Sequence, residues 1–107
     1  MKKLVVVAVA CALTGASLSA LAAGDPAAGK AKSAACAGCH GPDGNSAVPM
    51  YPKIAGQHAQ YLELSIKAYR AGERSGGQTG VMKPMVGSLS DQDITDLAAY
   101  FASQAPK

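Results

Sequence analysis

The chain has 107 residues, 49% of them hydrophobic, and carries 10 Lys and Arg against 7 Asp and Glu, a formal net charge of +3. Lys2 and Lys3 supply two of those positive charges, so beyond the N-terminal segment 8 basic residues face 7 acidic ones, a balance of +1 that gives no basis for nucleic-acid binding. One Phe and no Trp are too little for so short a chain to close a core unaided, so a cofactor, metal or disulfide staple is expected.

The N-terminus comes first in chain order. Met1-Lys2-Lys3 is a short basic region, LVVVAVACAL is an apolar stretch, and Ala20-Leu21-Ala22 is a small-residue cleavage pattern. This predicts a secretory signal peptide over 1–22 and a mature domain of 85 residues over 23–107. An uncleaved membrane anchor is the rival reading, weakened by Thr14, Gly15, Ser17 and Ser19 within the apolar run. A lipoprotein signal at Cys11 is weaker still, because Ala8 stands where Leu is expected.

Asp25 followed by Pro26 reads as an N-cap and a proline at the first helical position, predicting a helix over about 26–35. Gly29 inside it costs roughly 1 kcal/mol of helix propensity relative to Ala, which makes sense where another helix crosses closely. Residues 41–56 are rich in Gly and Pro and read as loop. A second helix is expected over 57–71, with Leu62, Ile66 and Tyr69 at helical spacing and Gly72 as its stop. The stretch 72–80 reads as a flexible polar loop, and "VMKPMVG" follows it without a helical assignment. Ser90 is a good N-cap for a last helix over 91–103, with Asp91 and Asp93 in its first turn and Ile94, Leu97, Ala98 and Phe101 on one face. No strand-period alternation stands out, so the fold class is all-α with three main helices and long loops.

The chemistry lies in "ACAGCHG". Cys36-Ala37-Gly38-Cys39-His40 is a C-x-x-C-H motif, and in an exported protein it reads as c-type haem attachment. Two thiols three residues apart reach the two vinyl groups of one haem, and the adjacent His40 supplies an axial nitrogen to the iron. A structural zinc site needs four ligands, and beyond this motif only His58, carboxylates and the Met sulfurs remain. A thioredoxin-like pair belongs beside a βαβ pattern, which is missing. A lone disulfide over so short a loop adds little. The sixth iron ligand separates electron transfer from gas or peroxide chemistry, and Met50, Met82 and Met85 are the candidates. Met50 follows His40 too closely. Met82 and Met85 lie far enough along the chain to return from the other side of a haem, and spacing alone does not choose between them.

"CAGCHGPDGNSAVPMYPKIAGQ" followed by "MKPMVGSLSDQDITDLAAYFASQ" resembles the small class I c-type cytochromes, most of all the single-haem halves of bacterial dihaem periplasmic cytochromes c. The resemblance covers residues 24–104. It implies the class I cytochrome c fold wrapped round one covalent haem c with its iron. It also implies that the ligand Met stands seven residues before the Leu of an L-S-D-x-D helix start, which here is Leu89, so that Met82 ligates and Met85 is a pocket neighbour and second choice. By the same resemblance Pro52 offers its carbonyl to the His40 ring, Ile54 belongs to the haem wall, and Gly29 and Tyr100 mark the crossing of first and last helices.

The expectation is therefore a non-enzymatic periplasmic electron carrier. Its partners would be redox proteins of a respiratory chain, met transiently and including membrane-bound oxidase or reductase complexes, with no small-molecule substrate. The alternative is a haem c subunit of a larger oxidoreductase or respiratory complex. His58 reads as exposed, Lys67, Arg70 and Arg74 as a solvated face, and Asp91 and Asp93 as capping residues, so no acid/base pair calls for catalysis.

Overall fold

The computed structural model describes residues 24–107 and the single residue Val5; the segment read as a signal peptide otherwise lies outside the described residues. Five helices and no strands occur among the described residues: α1 (Pro26–Lys32), α2 (Ala34–His40), α3 (Ala59–Arg70), α4 (Thr79–Val86) and α5 (Asp91–Ala102). None of them is long and apolar enough to cross a membrane.

Each predicted helix is present, with local causes visible at its ends. The Asp25 side chain accepts from the Ala27 N–H at 3.0 Å and caps α1, with Pro26 at the first helical position. The expected single helix over 26–35 is instead two. Ser33 folds back on Lys30, its N–H and its hydroxyl both donating to the Lys30 carbonyl at 3.2 and 2.8 Å, and α2 restarts beyond it. The cysteine motif therefore rides on α2 rather than on a loop after α1. At α5 the Ser90 hydroxyl accepts from the Asp93 N–H and the Asp93 carboxylate accepts from the Ser90 N–H, each at 3.0 Å, a complete capping box.

The element missed from sequence is α4. Pro84 lies inside it, and such a residue normally signals a helix boundary. Here the helix starts on a turn in which the Thr79 N–H and hydroxyl both return to the Gly76 carbonyl. It is held by packing against α3, with Val86 buried.

The core is built on α5. Ile94, Leu97, Ala98, Tyr100 and Phe101 are buried along it; all of these but Ile94 form one cluster with Leu62 of α3, with Cys36, Ile54 and Leu89 at its margin. On its other side α5 crosses α1 at Gly29, where an added Cβ would lie 2.0 Å from the Asp96 carbonyl oxygen and 2.8 Å from the Tyr100 Cβ. That approach is why a glycine stands inside α1. Asp96, buried beside the crossing, accepts from the Asp25 N–H at 2.9 Å, from Lys32 Nζ at 2.8 Å and from Gln92 Nε2 at 2.8 Å.

Candidate cofactor site

The helices enclose a cavity of about 700 Å³ with mainly apolar walls. α2 contributes Cys36, Cys39 and His40 to it, α3 contributes Leu62 and Ile66, α4 contributes Met82, Met85 and Val86, and α5 contributes Leu97 and Phe101. Cys36 and Cys39 are free thiols, half-buried at the wall. Burial pushes the Cys36 thiol up, with the neighbouring Cys39 adding a smaller push in the same direction.

His40 is buried, and the geometry of its ring follows from the loop after α2. The Gly41 N–H closes α2 on the Ala37 carbonyl at 2.9 Å. The chain then folds back on itself. The Gly44 carbonyl accepts from the Ile54 and Ala55 N–H groups at 2.8 and 3.2 Å, and the Ser46 hydroxyl donates to the Tyr51 carbonyl at 2.6 Å. Pro52 is fixed between these two ties, and its carbonyl oxygen lies 2.8 Å from His40 Nδ1. A carbonyl only accepts, so Nδ1 carries the proton and Nε2 keeps a lone pair for a metal. The Tyr100 hydroxyl donates to the Pro42 carbonyl at 2.8 Å, tying the start of this loop to α5.

The candidates named from sequence gather at this cavity: Cys36, Cys39, His40, Pro52, Ile54, Met82 and Met85 all line it. Met50 lines it too, but is 58% exposed; Met85 is 43% exposed and Met82 is half-buried. His58 is exposed and lies outside the lining. The three basic residues read as one solvated face have separate roles. Lys67 pairs with Glu63 at 2.9 Å within α3. Arg70 holds the Leu89 carbonyl at 2.9 Å and Asp91 at 2.6 Å, joining α3 to the start of α5. Arg74 lies over the Tyr69 ring in the cavity wall. Sequence reasoning also missed Tyr51 and Tyr61 as wall residues. Only the helical offset of Tyr61 from Ser65 and Tyr69 hinted at a shared face.

The residues fit haem. The volume lies within the range of about 300–1,000 Å³ usual for cofactor sites. Two thiols three residues apart in sequence stand on one helix, and beside them is an imidazole whose tautomer leaves Nε2 free. An all-α fold closed over such a cleft defines a covalent haem protein of the c type. The comparisons agree: the chain belongs to the cytochrome c family, whose pattern matches residues 26–105. It is 56% identical over 82 residues to cytochrome c-554(548) of Halomonas halodenitrificans, covering 77% of this chain and 99% of that one. It is 50% identical to cytochrome c4 of Azotobacter vinelandii over 79% of this chain but only 43% of that protein. The crystal structure of reduced cytochrome c4 from Pseudomonas stutzeri superposes with a TM-score of 0.70 at 45% identity, over 79% of this chain and 48% of that one. The chain thus matches the whole of one relative and less than half of the c4 proteins. As a member of this family it carries covalently bound haem c with its iron, and Cys36 and Cys39 are the cysteines of its C-x-x-C-H motif.

Proposed function

We propose that the protein is a periplasmic single-haem electron carrier in which His40 and Met82 are the axial iron ligands. When bound, the haem supplies a one-electron iron couple. Cys36 and Cys39 would fix it to α2, so that it stays with the chain through each exchange. His40 would present Nε2, made a stronger donor by the Nδ1–H bond to Pro52. Met82 would fill the remaining position with a thioether, which raises the potential and leaves no site for substrate. The observation that supports this reading is that His40 from α2 and Met82 from α4 line the same cavity, Met82 being the least exposed methionine in its lining. Ile54, Leu97 and Phe101 would keep water from the metal. Export is supported by the N-terminal sequence pattern and by the attachment motif itself. Partners would be redox proteins meeting the mouth of the cavity through small, transient interfaces.

The oxidised protein tests the ligand assignment. A thioether on ferric iron gives a weak long-wavelength absorption band. Met82→Ala is expected to abolish it and to open the iron to carbon monoxide in the reduced state, while Met85→Ala keeps the band. Loss in Met85→Ala with retention in Met82→Ala overturns the assignment.

A second reading, a haem subunit of a larger oxidoreductase, is favoured by 36% identity over 72 residues to a thiosulfate dehydrogenase electron acceptor of Stutzerimonas stutzeri. Stable co-purification of an enzyme partner from a membrane or periplasmic fraction selects that reading over the free carrier.

A further inference from the structure

The cavity wall carries cations and no carboxylate. Lys32, Lys53 and Arg74 line it, and no Asp or Glu does. Two of the three are engaged elsewhere. Lys32 sits between Asp93 and Asp96 at 2.9 and 2.8 Å. Lys53 Nζ donates to the Lys107 carbonyl at 2.7 Å. Arg74 has no anionic partner among the described residues; its guanidinium carbon stands 4.3 Å from the Tyr69 ring centroid.

The chain holds Arg74 there by a specific turn. At the end of α3 the Gly72 N–H bonds the Tyr69 carbonyl at 3.0 Å and the Glu73 N–H bonds the Ala68 carbonyl at 2.9 Å, with Gly72 at φ +74°. This paired pattern is the Schellman termination, which needs a left-handed residue at that place. It turns the chain back over the last turn of α3 and brings Arg74 onto Tyr69. A guanidinium laid on a ring spends its face on the stack and keeps its in-plane N–H groups free. Those groups match the two oxygens of a carboxylate, and the fold has already met much of the ordering cost of the side chain.

Haem brings two propionate carboxylates to a mainly apolar cleft, and Arg74, exposed to solvent while lining that cleft, is a cation there without an anionic partner among the described residues. We propose that Arg74, stacked on Tyr69, is the carboxylate clamp of the cavity and binds a haem propionate through its free N–H edge. The clamp rests on haem binding and not on which methionine ligates the iron. Its consequence is electrostatic: the propionate stays ionised at neutral pH, and its charge near the iron is compensated. The other titratable groups of the wall, apart from the attachment motif, are Tyr51, Tyr61 and Tyr69.

The test is the midpoint potential of the holoprotein followed from about pH 5 to about pH 8, the range in which an unclamped propionate begins to titrate. The wild type is expected to vary least there, with only the second propionate left to titrate. In Arg74→Gln the acid dissociation constant of the propionate falls about tenfold, so a pH-dependent segment enters and the potential drops. Lys53→Gln keeps the wild-type profile. Arg74→Lys, which keeps charge but loses the planar fork, lies between, and it decides the matter if Arg74→Gln takes up no haem. A purely structural role for Arg74 would not move the pH profile. An Arg74→Gln or Arg74→Lys profile identical to wild type overturns the clamp. Absence of the long-wavelength band from wild type defeats the methionine assignment and leaves the clamp standing.

Discussion

A methyl group at position 29 has no space. The Asp96 carbonyl oxygen lies 2.0 Å from where it would stand, and the obstruction is backbone, so no rotamer change relieves it. Replacing Gly29 by Ala raises helix propensity by about 1 kcal/mol, yet parting α1 from α5 costs about 1–3 kcal/mol or more. Gly29→Ala is therefore expected to lower the unfolding free energy of the holoprotein in urea; an unchanged or higher midpoint would show that the crossing tolerates a side chain. Gly29 was legible because it breaks a local rule. The attachment motif was legible because its spacing is set by the cofactor's chemistry rather than by tertiary context. Arg74 was not legible in this way. Its sequence neighbours are Gly, Glu and Ser, and only the turn at Gly72 carries it back onto Tyr69.

At the scale of elements, α1 and α5 are joined by charge as well as by close packing. Lys32 on α1 reaches Asp93 and Asp96 on α5, and Asp96 also caps the chain entry through the Asp25 N–H. The Lys32 ammonium and the Asp25 N–H hold the Asp96 carboxyl below its ordinary range, while the Ser90 N–H and Lys32 do the same for Asp93. A carboxyl depressed in the folded state contributes stability above its unfolded value, near pH 4, and loses it as pH falls through the folded value. The joint should therefore hold from neutral pH down to about pH 4 and weaken below it. Asp43, held at about 2 chiefly by the Asn45 N–H, extends the decline further into acid. Asp96→Asn is expected to lower the melting temperature at pH 7 and to shrink the difference between pH 7 and pH 3. An undiminished acid sensitivity would move the source to other carboxylates. The Lys32 side follows the opposite sign, with its contribution present at neutral pH and lost only at the alkaline end.

The capped ends of α1 and α5 could be read from Asp25, Pro26 and Ser90 because a cap is a local interaction. The break at Ser33 and the helix α4 could not. Ser33 is one polar residue in an Ala-rich run, and its fold-back on Lys30 has no sequence mark. α4 contains Pro84 and Gly80 and is held by α3 across the chain, so tertiary packing overrides propensity there.

For the molecule as a whole, the uneven core decides what the cofactor must do. α5 buries six residues, whereas α3 buries only Leu62 and α4 only Val86. Ile66 and Tyr69 of α3 and Val81, Met82 and Met85 of α4 instead line the cavity of about 700 Å³. Without an occupant their apolar surface meets water, forgoing about 25 cal/mol for each Å² left unburied, in a domain whose whole stability is about 5–15 kcal/mol. The α1–α5 joint has its own close crossing and ion pairs, but α3 and α4 rely on what lies between them. With Cys36 and Cys39 both replaced by Ala, the covalent hold proposed for the haem would be gone. Amide hydrogen exchange of that variant is then expected to show α3 and α4 almost unprotected while α1 and α5 keep a residue of protection. The holoprotein should protect all of them. Equal protection of α3 and α5 in the variant would mean that the helices pack without the haem, and that the thin core is sufficient after all.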